Sequence, residues 1–118
     1  TDETDPDKIG YYALYSGNNS GISGDLTYGS KEVGQKIAND LCLRDMSGNV
    51  YEWCYDWFAA YSDGPETDPT GPGSGSHRVI RGGNWVNSGD YLRCAERETY
   101  PPAIYGGSRC FRLFRTAD

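Results

Sequence analysis

From Tyr51 to Trp57 every second residue is aromatic: Tyr51, Trp53, Tyr55 and Trp57 alternate with Glu52, Cys54 and Asp56. A helix would scatter those rings around its circumference. A strand puts them all on one face and the polar set on the other. Residues 50–57 are therefore expected to form a half-buried strand. Met46-Ser47-Gly48-Asn49, just before it, is turn chemistry, because Gly and Asn tolerate positive φ. Few other stretches carry so strong an apolar pattern. Hydrophobic residues make up only 36% of the chain, which nonetheless holds ten Tyr, three Trp and sixteen Gly. That balance does not suit a helix bundle. It suits one loop-rich domain with a small aromatic core, and 118 residues suffice for one domain only.

The rest of the chain reads as short strands between long loops. Residues 1–9 are polar and acidic, a tail or cut loop, so the domain is expected to span 10–118. Residues 11–15 form a short aromatic run, and 16–30 are rich in Gly, Asn and Ser. An Asn18-Asn19-Ser20 triplet fits a glycosylation sequon but is common by chance. Val33, Ile37, Leu41 and Leu43 are spaced too raggedly to predict a helix. Residues 63–76, with three Pro and four Gly, predict a long surface loop. Strands are expected over 77–81, 91–97 and 109–115, with another exposed loop over 99–108.

Charge and cysteines exclude some functions. The net charge is −6, which argues against nucleic acid as a partner, since phosphate-backbone affinity rests on Lys and Arg. Seven Arg nevertheless lie between Arg78 and Arg115, while four of the first seven residues are acidic. No apolar run approaches the roughly 20 residues that a membrane helix needs. No signal peptide is visible, and the abrupt start leaves a removed leader or anchor open. Cys42, Cys54, Cys94 and Cys110 form no C-x-x-C pair, and His77 is the only His, so a structural zinc site is not expected. The four Cys allow three full pairings, and free thiols are an equal alternative.

Four motifs in order carry a resemblance to a known family. They are Gly34-Gln35-Lys36-Ile37-Ala38-Asn39 followed by Leu43 to Cys54; His77 to Trp85, with its Arg81-Gly82-Gly83-Asn84-Trp85; Arg93-Cys94-Ala95-Glu96-Arg97; and Phe111-Arg112. Their order and spacing resemble the formylglycine-generating enzyme, or sulfatase-modifying factor, family. The resemblance implies an α+β, loop-rich, C-type-lectin-like fold of short antiparallel strands with little helix. The chain departs from the pattern at Cys42 and Cys110, where the family has Gly, and at Arg44, where it usually has Tyr. By resemblance, Cys42 and Cys110 could pair and staple the closing strand to the centre. Arg81, Arg93, Arg97 and Arg112 are expected to be structural, paired with carboxylates and carbonyls. Trp53, Trp57 and Trp85 are expected in the core.

The same resemblance argues against catalysis. The family's enzymes hold copper with two Cys placed just after the Arg-Gly-Gly motif, where soft thiolates suit that ion. Residues 85–92 contain no Cys, so no copper is expected. A related branch holds iron with several His, and one His closes that route. Asp45, Glu52 and Asp56 could be imagined as an acid/base set, but turn-stabilising or calcium-binding carboxylates fit them better. A structural calcium is implied instead, held by the carboxylates of Asp45 and Glu52 and the carbonyls of Gly48 and Val50, all hard oxygen donors.

Some relatives in this family are variable proteins of diversity-generating retroelements, in bacteria and phages. Their receptor-like face lies between the Arg-Gly-Gly motif and the closing Phe-Arg. Here that interval offers Val86, Asn87, Ser88, Asp90, Tyr91, Glu96, Glu98, Thr99, Tyr100, Ala103, Ile104, Tyr105 and Ser108. Tyr among small polar residues is the composition of adaptable paratopes, giving large contact area at low entropic cost. The expected partner is a protein or cell-surface ligand, met outside the cell or at its surface. Glu96 and Glu98 cannot arise by changing the first two bases of an Asn codon. An invariant binding or structural module, and an enzyme with an unrecognised site, therefore stay open as alternatives.

Overall fold

The computed structural model describes residues 29–114. The acidic tail, the aromatic run at 11–15, the sequon and the expected start of the domain lie outside them. Four strands form: β1 Tyr51–Trp57, β2 Arg78–Arg81, β3 Glu98–Tyr100 and β4 Arg109–Cys110. They make one sheet in the order β3-β2-β1-β4. The pairs β1–β2 and β2–β3 are antiparallel, while β4 runs parallel to β1, so the sheet is mixed. Helix among the described residues amounts to one 3-10 turn, Gly89–Leu92.

The centre of the sheet is β2. Val79 and Ile80 point to opposite faces and both are buried, so this strand is covered on both sides. Tyr51 completes the small set of buried hydrophobic residues. The aromatic stripe of β1 is only partly inward. Glu52 pairs with Arg81 and Trp53 with Ile80, but the next partners are Trp57 and Arg78. Between these pairs three residues of β1 (54–56) thus stand against the single Val79 of β2, which interrupts the ladder as a bulge does. Tyr55 falls in the interruption and is 81% exposed, so the aromatic face expected to make this a half-buried strand is not buried along its whole length. Trp53, Trp57 and Trp85 are half-buried.

Polar side chains hold the loops. Asn49 is buried, and its amide is paired twice with the backbone of Lys31: Lys31 N donates to Oδ1 at 2.8 Å, and Nδ2 donates to Lys31 O at 3.0 Å. Its own carbonyl accepts from Trp85 N at 2.9 Å. One residue of the turn therefore ties together the 29–31 and 82–85 segments. Every one of these groups is satisfied, as burial demands. Gly83, at φ +69°, lets the 3-10 turn pack over it, since a Cβ there would lie 2.6 Å from Leu92 Cδ2 and 3.1 Å from Tyr91 O. That tertiary contact explains why 91–97 does not form the expected strand and coils instead. The closing strand is likewise shorter than expected, two residues rather than seven. All four Cys are free thiols, so the Cys42–Cys110 staple is not formed.

Candidate functional site

The interval between Trp85 and Phe111 begins on a buried Asn84, whose Oδ1 accepts hydrogen bonds from Val86 N (3.0 Å) and Asn87 N (3.1 Å). Asn84 N in turn donates to Asn87 Oδ1 at 3.0 Å. The expected binding residue Asn87 is thus partly committed to shaping the loop. Arg81 holds the next turn, donating to the carbonyls of Cys94 (2.9 Å) and Glu96 (3.0 Å) and to Tyr61 Oη (3.2 Å). Arg97 donates to Ala59 O and lies 3.6 Å from the centroid of the Tyr61 ring. These two Arg are structural, as expected. Arg93 likewise pairs with a carboxylate and a carbonyl, Glu96 at 2.6 Å and Asp90 O at 2.9 Å, but its side chain is 63% exposed, so the ion pair contributes little in water.

Val86, Asp90, Tyr91, Ala103, Ile104 and Tyr105 stand exposed, and Tyr105 is 99% so. Ser88, Glu96, Glu98, Thr99, Tyr100 and Ser108 are half-buried. Three of these belong to β3, where Glu98, Thr99 and Tyr100 face Ile80, Val79 and Arg78 in the ladder. Ser108 O accepts from Tyr51 N at 2.8 Å, fixing the end of the interval to β1.

Tyr51 and Arg109 belong to this site although the sequence did not single them out. The Tyr51 phenol is pushed up to about 12, first by burial and then by Glu98, Tyr91 and Glu96, with Arg109 opposing. The Arg109 guanidinium lies 3.4 Å from the centroid of Tyr100 and packs against Gly106, with Nε and Nη1 buried and making no hydrogen bond. Only the parallel pairing of Tyr51 with Arg109 brings β4 here, and no local pattern in the sequence announces that pairing.

The four residues expected to hold calcium, Asp45, Gly48, Val50 and Glu52, border one cavity of about 310 Å³, together with Val33, Phe111 and Arg112. Asp45 Oδ2 accepts from Gly34 N at 2.6 Å, and Gly48 O accepts from Val50 N at 3.0 Å. Arg112 grips Glu52 through Nε, 3.1 and 2.8 Å from the two carboxylate oxygens, and through Nη2. It also donates to Arg44 O (2.9 Å) and Asp45 O (3.1 Å). The Glu52 hydrogen bonds hold the guanidinium above its ordinary range, against burial. The donor types, two carboxylates and two backbone carbonyls around one cavity, are those calcium takes, and Arg112 would compete with an ion for Glu52. Among the described residues no three His, Cys, Asp or Glu side chains meet, so an ion here depends on the two carbonyls.

One thiol, that of Cys110, also belongs to the lining of this cavity. Cys54 and Cys110 are half-buried, and burial pushes both thiols up, away from the reactive thiolate. Among the described residues no helix is long and apolar enough to cross a membrane.

Comparison with known proteins gives a consistent result. The sulfatase-modifying factor enzyme 1-like domain matches residues 2–117. The serine/threonine-protein kinase pkn1 of Chlamydia caviae is 44% identical over 79 residues, covering 64% of this chain and 13% of that protein. The formylglycine-generating enzyme of Streptomyces coelicolor is 41% identical over 81 residues, covering 64% of this chain and 26% of the enzyme. Among solved structures, Treponema denticola variable protein 1 superposes with a TM-score of 0.73 at 36% identity, covering 88% of this chain and 34% of its own. The chain thus spans about a third or less of the length of these relatives.

Proposed function

The chain belongs to the sulfatase-modifying factor enzyme 1-like family, and from that membership we propose that its 86–108 loops form a variable, non-catalytic binding face for a protein or cell-surface ligand. The fold is the loop-rich C-type-lectin-like one, with short strands and little helix. One observation carries the proposal. Val86, Tyr91, Ile104 and Tyr105 project to solvent from loops whose backbones are fixed by Asn84, Arg81 and β3. Exposed apolar and aromatic side chains on a rigid frame are costly for solubility and well suited to recognition. The likeness to a variable protein supports diversification of these positions. The lack of Cys over 85–92 supports a binding role over the chemistry of the formylglycine-generating relatives. Such a face implies display outside the cell or on its surface.

Two experiments test this reading. Sequencing the coding region from independent isolates should find substitutions concentrated at Val86, Asp90, Tyr91, Ala103, Ile104 and Tyr105, and none at Arg81–Trp85 or Phe111–Arg112. An even spread of substitutions would sink diversification and leave an invariant module. Incubation with a Cys-containing peptide, copper and oxygen should give no aldehyde; turnover would restore the enzyme reading.

We further propose that calcium occupies the Asp45, Gly48, Val50 and Glu52 pocket as a structural ion. It would neutralise the two carboxylates and clamp the turn that Asn49 already anchors. Its readout is calcium-dependent stability.

A further inference from the structure

We propose a second ligand site, separate from the 86–108 face: the groove between the end of β1 and the 66–72 loop binds a neutral polyhydroxylated ring, that is, a saccharide. The groove is a cavity of about 680 Å³. Its outer wall is a surface loop that approaches β1 closely at two points. Gly71, at φ +70°, rests on Asp56, where a Cβ would lie 3.1 Å from Asp56 Cβ. Gly75 rests on Trp57 in the same way, at 3.0 Å. Pro69 and Pro72 restrict the backbone between and beside these contacts. Both features narrow the freedom of the wall, which lowers the entropic cost of ordering it on a ligand.

The lining selects the ligand. Tyr61 is oriented by Arg97 stacked on one ring face (3.6 Å) and by Arg81 bonded to its hydroxyl (3.2 Å). The side chain remains 67% exposed, so the opposite face is open to the C–H face of a sugar ring. Around it the side chains of Glu66, Thr67, Asp68 and Thr70 make no hydrogen bond or ion pair among the described residues. Two carboxylates accept, one guanidinium donates, and the hydroxyls do both. An apolar ligand would strand these groups. A polyanion would meet two carboxylates against one Arg. A cation would meet Arg97 beside the ring. A sugar hydroxyl donates to Glu66 or Asp68 and accepts from Arg97, so it alone uses the whole set.

Titration of the 15N-labelled chain with maltotriose, mannotriose and triacetylchitotriose tests the site. At least one should shift the amides of Tyr61, Thr67 and Asp68 saturably. Tyr61→Ala should weaken that binding roughly tenfold, as expected for one stacking contact. Tyr61→Phe, which keeps the ring, should retain it. Glu66→Gln with Asp68→Asn, on a fully exposed loop, should weaken it without disturbing the spectrum elsewhere. Tyr91→Ala and Tyr105→Ala should leave it unchanged, which separates this site from the loop face. Three silent titrations, shifts that survive Tyr61→Ala, or shifts confined to residues 86–108 would each overturn the proposal. So would equal or larger shifts with spermidine or inorganic phosphate.

Discussion

Tyr51 is where the sheet meets the loop face. Its side chain is buried, and burial, followed by the charges of Glu98, Tyr91 and Glu96, disfavours its ionisation. Its folded pKa of about 12 lies above the ordinary 10.0. A group raised in this way stabilises the fold fully below its unfolded value and loses that contribution as pH climbs through the folded value. Stability should therefore fall between about pH 10 and 12, with the unfolded state the first to lose the proton. Urea midpoints measured across that interval check it: the decline should be shallower in Tyr51→Phe than in the unchanged chain. The thiols give a second prediction at this scale. Cys42 and Cys94 are exposed, while Cys54 and Cys110 are half-buried with raised pKa values. Iodoacetamide followed by peptide mapping should label Cys42 and Cys94 first, and Cys54 and Cys110 only slowly or after unfolding. What the sequence hid at this scale was Arg109. It becomes part of the site only because a two-residue parallel strand lays it against Tyr51, a long-range pairing that leaves no local trace.

At the scale of elements, legibility follows the source of the constraint. β1 and β2 could be read because their pattern is local: an aromatic stripe, and a run of Val and Ile between Arg. The exposed ring of Tyr55 could not, because the interruption of the β1–β2 ladder is a property of the pair. The 3-10 turn could not either, because it is set by the packing of Leu92 on Gly83. Arg112 shows how such short elements stay together. One guanidinium reaches both oxygens of Glu52 on β1 and the carbonyls of Arg44 and Asp45 in the preceding loop. Its planar fork matches that arrangement, and an ammonium cannot. The side chains are 25% and 21% exposed, so the pair is shielded from water without being fully desolvated. Arg112→Ala should lower stability by roughly 2 kcal/mol, and Arg112→Lys by most of that, because charged hydrogen bonds in partial burial carry that order of energy. Chemical denaturation checks both; a Lys variant as stable as the parent would show that charge alone suffices.

At the scale of the molecule, the apolar core formed by the described residues is small. Three buried hydrophobic side chains serve the described residues, while Val33, Ile37, Leu41, Phe111, Leu113 and Phe114 are exposed. Burying one such side chain is worth about 1.5–3 kcal/mol, so hydrophobic burial here is modest. Ordered loops depend instead on polar ties: Asn49, Asn84, Arg81, Arg97 and Arg112. A molecule built this way should respond strongly to one more tie, and calcium at Asp45 and Glu52 would be such a tie. An ion that binds only the folded state stabilises it by about 2.7 kcal/mol at a hundredfold excess over its Kd. That should raise the melting temperature by several degrees. The rise should vanish with a chelator and in Asp45→Asn, and magnesium should not reproduce it. Arg112 sharpens the test, because it and the ion share Glu52. In Arg112→Lys the starting stability is lower, yet Glu52 is freer, so the calcium-induced rise should be larger and reach half its value at lower calcium. Equal responses in the two proteins would mean that Glu52 is not a ligand, and no response in either would remove calcium from the scaffold.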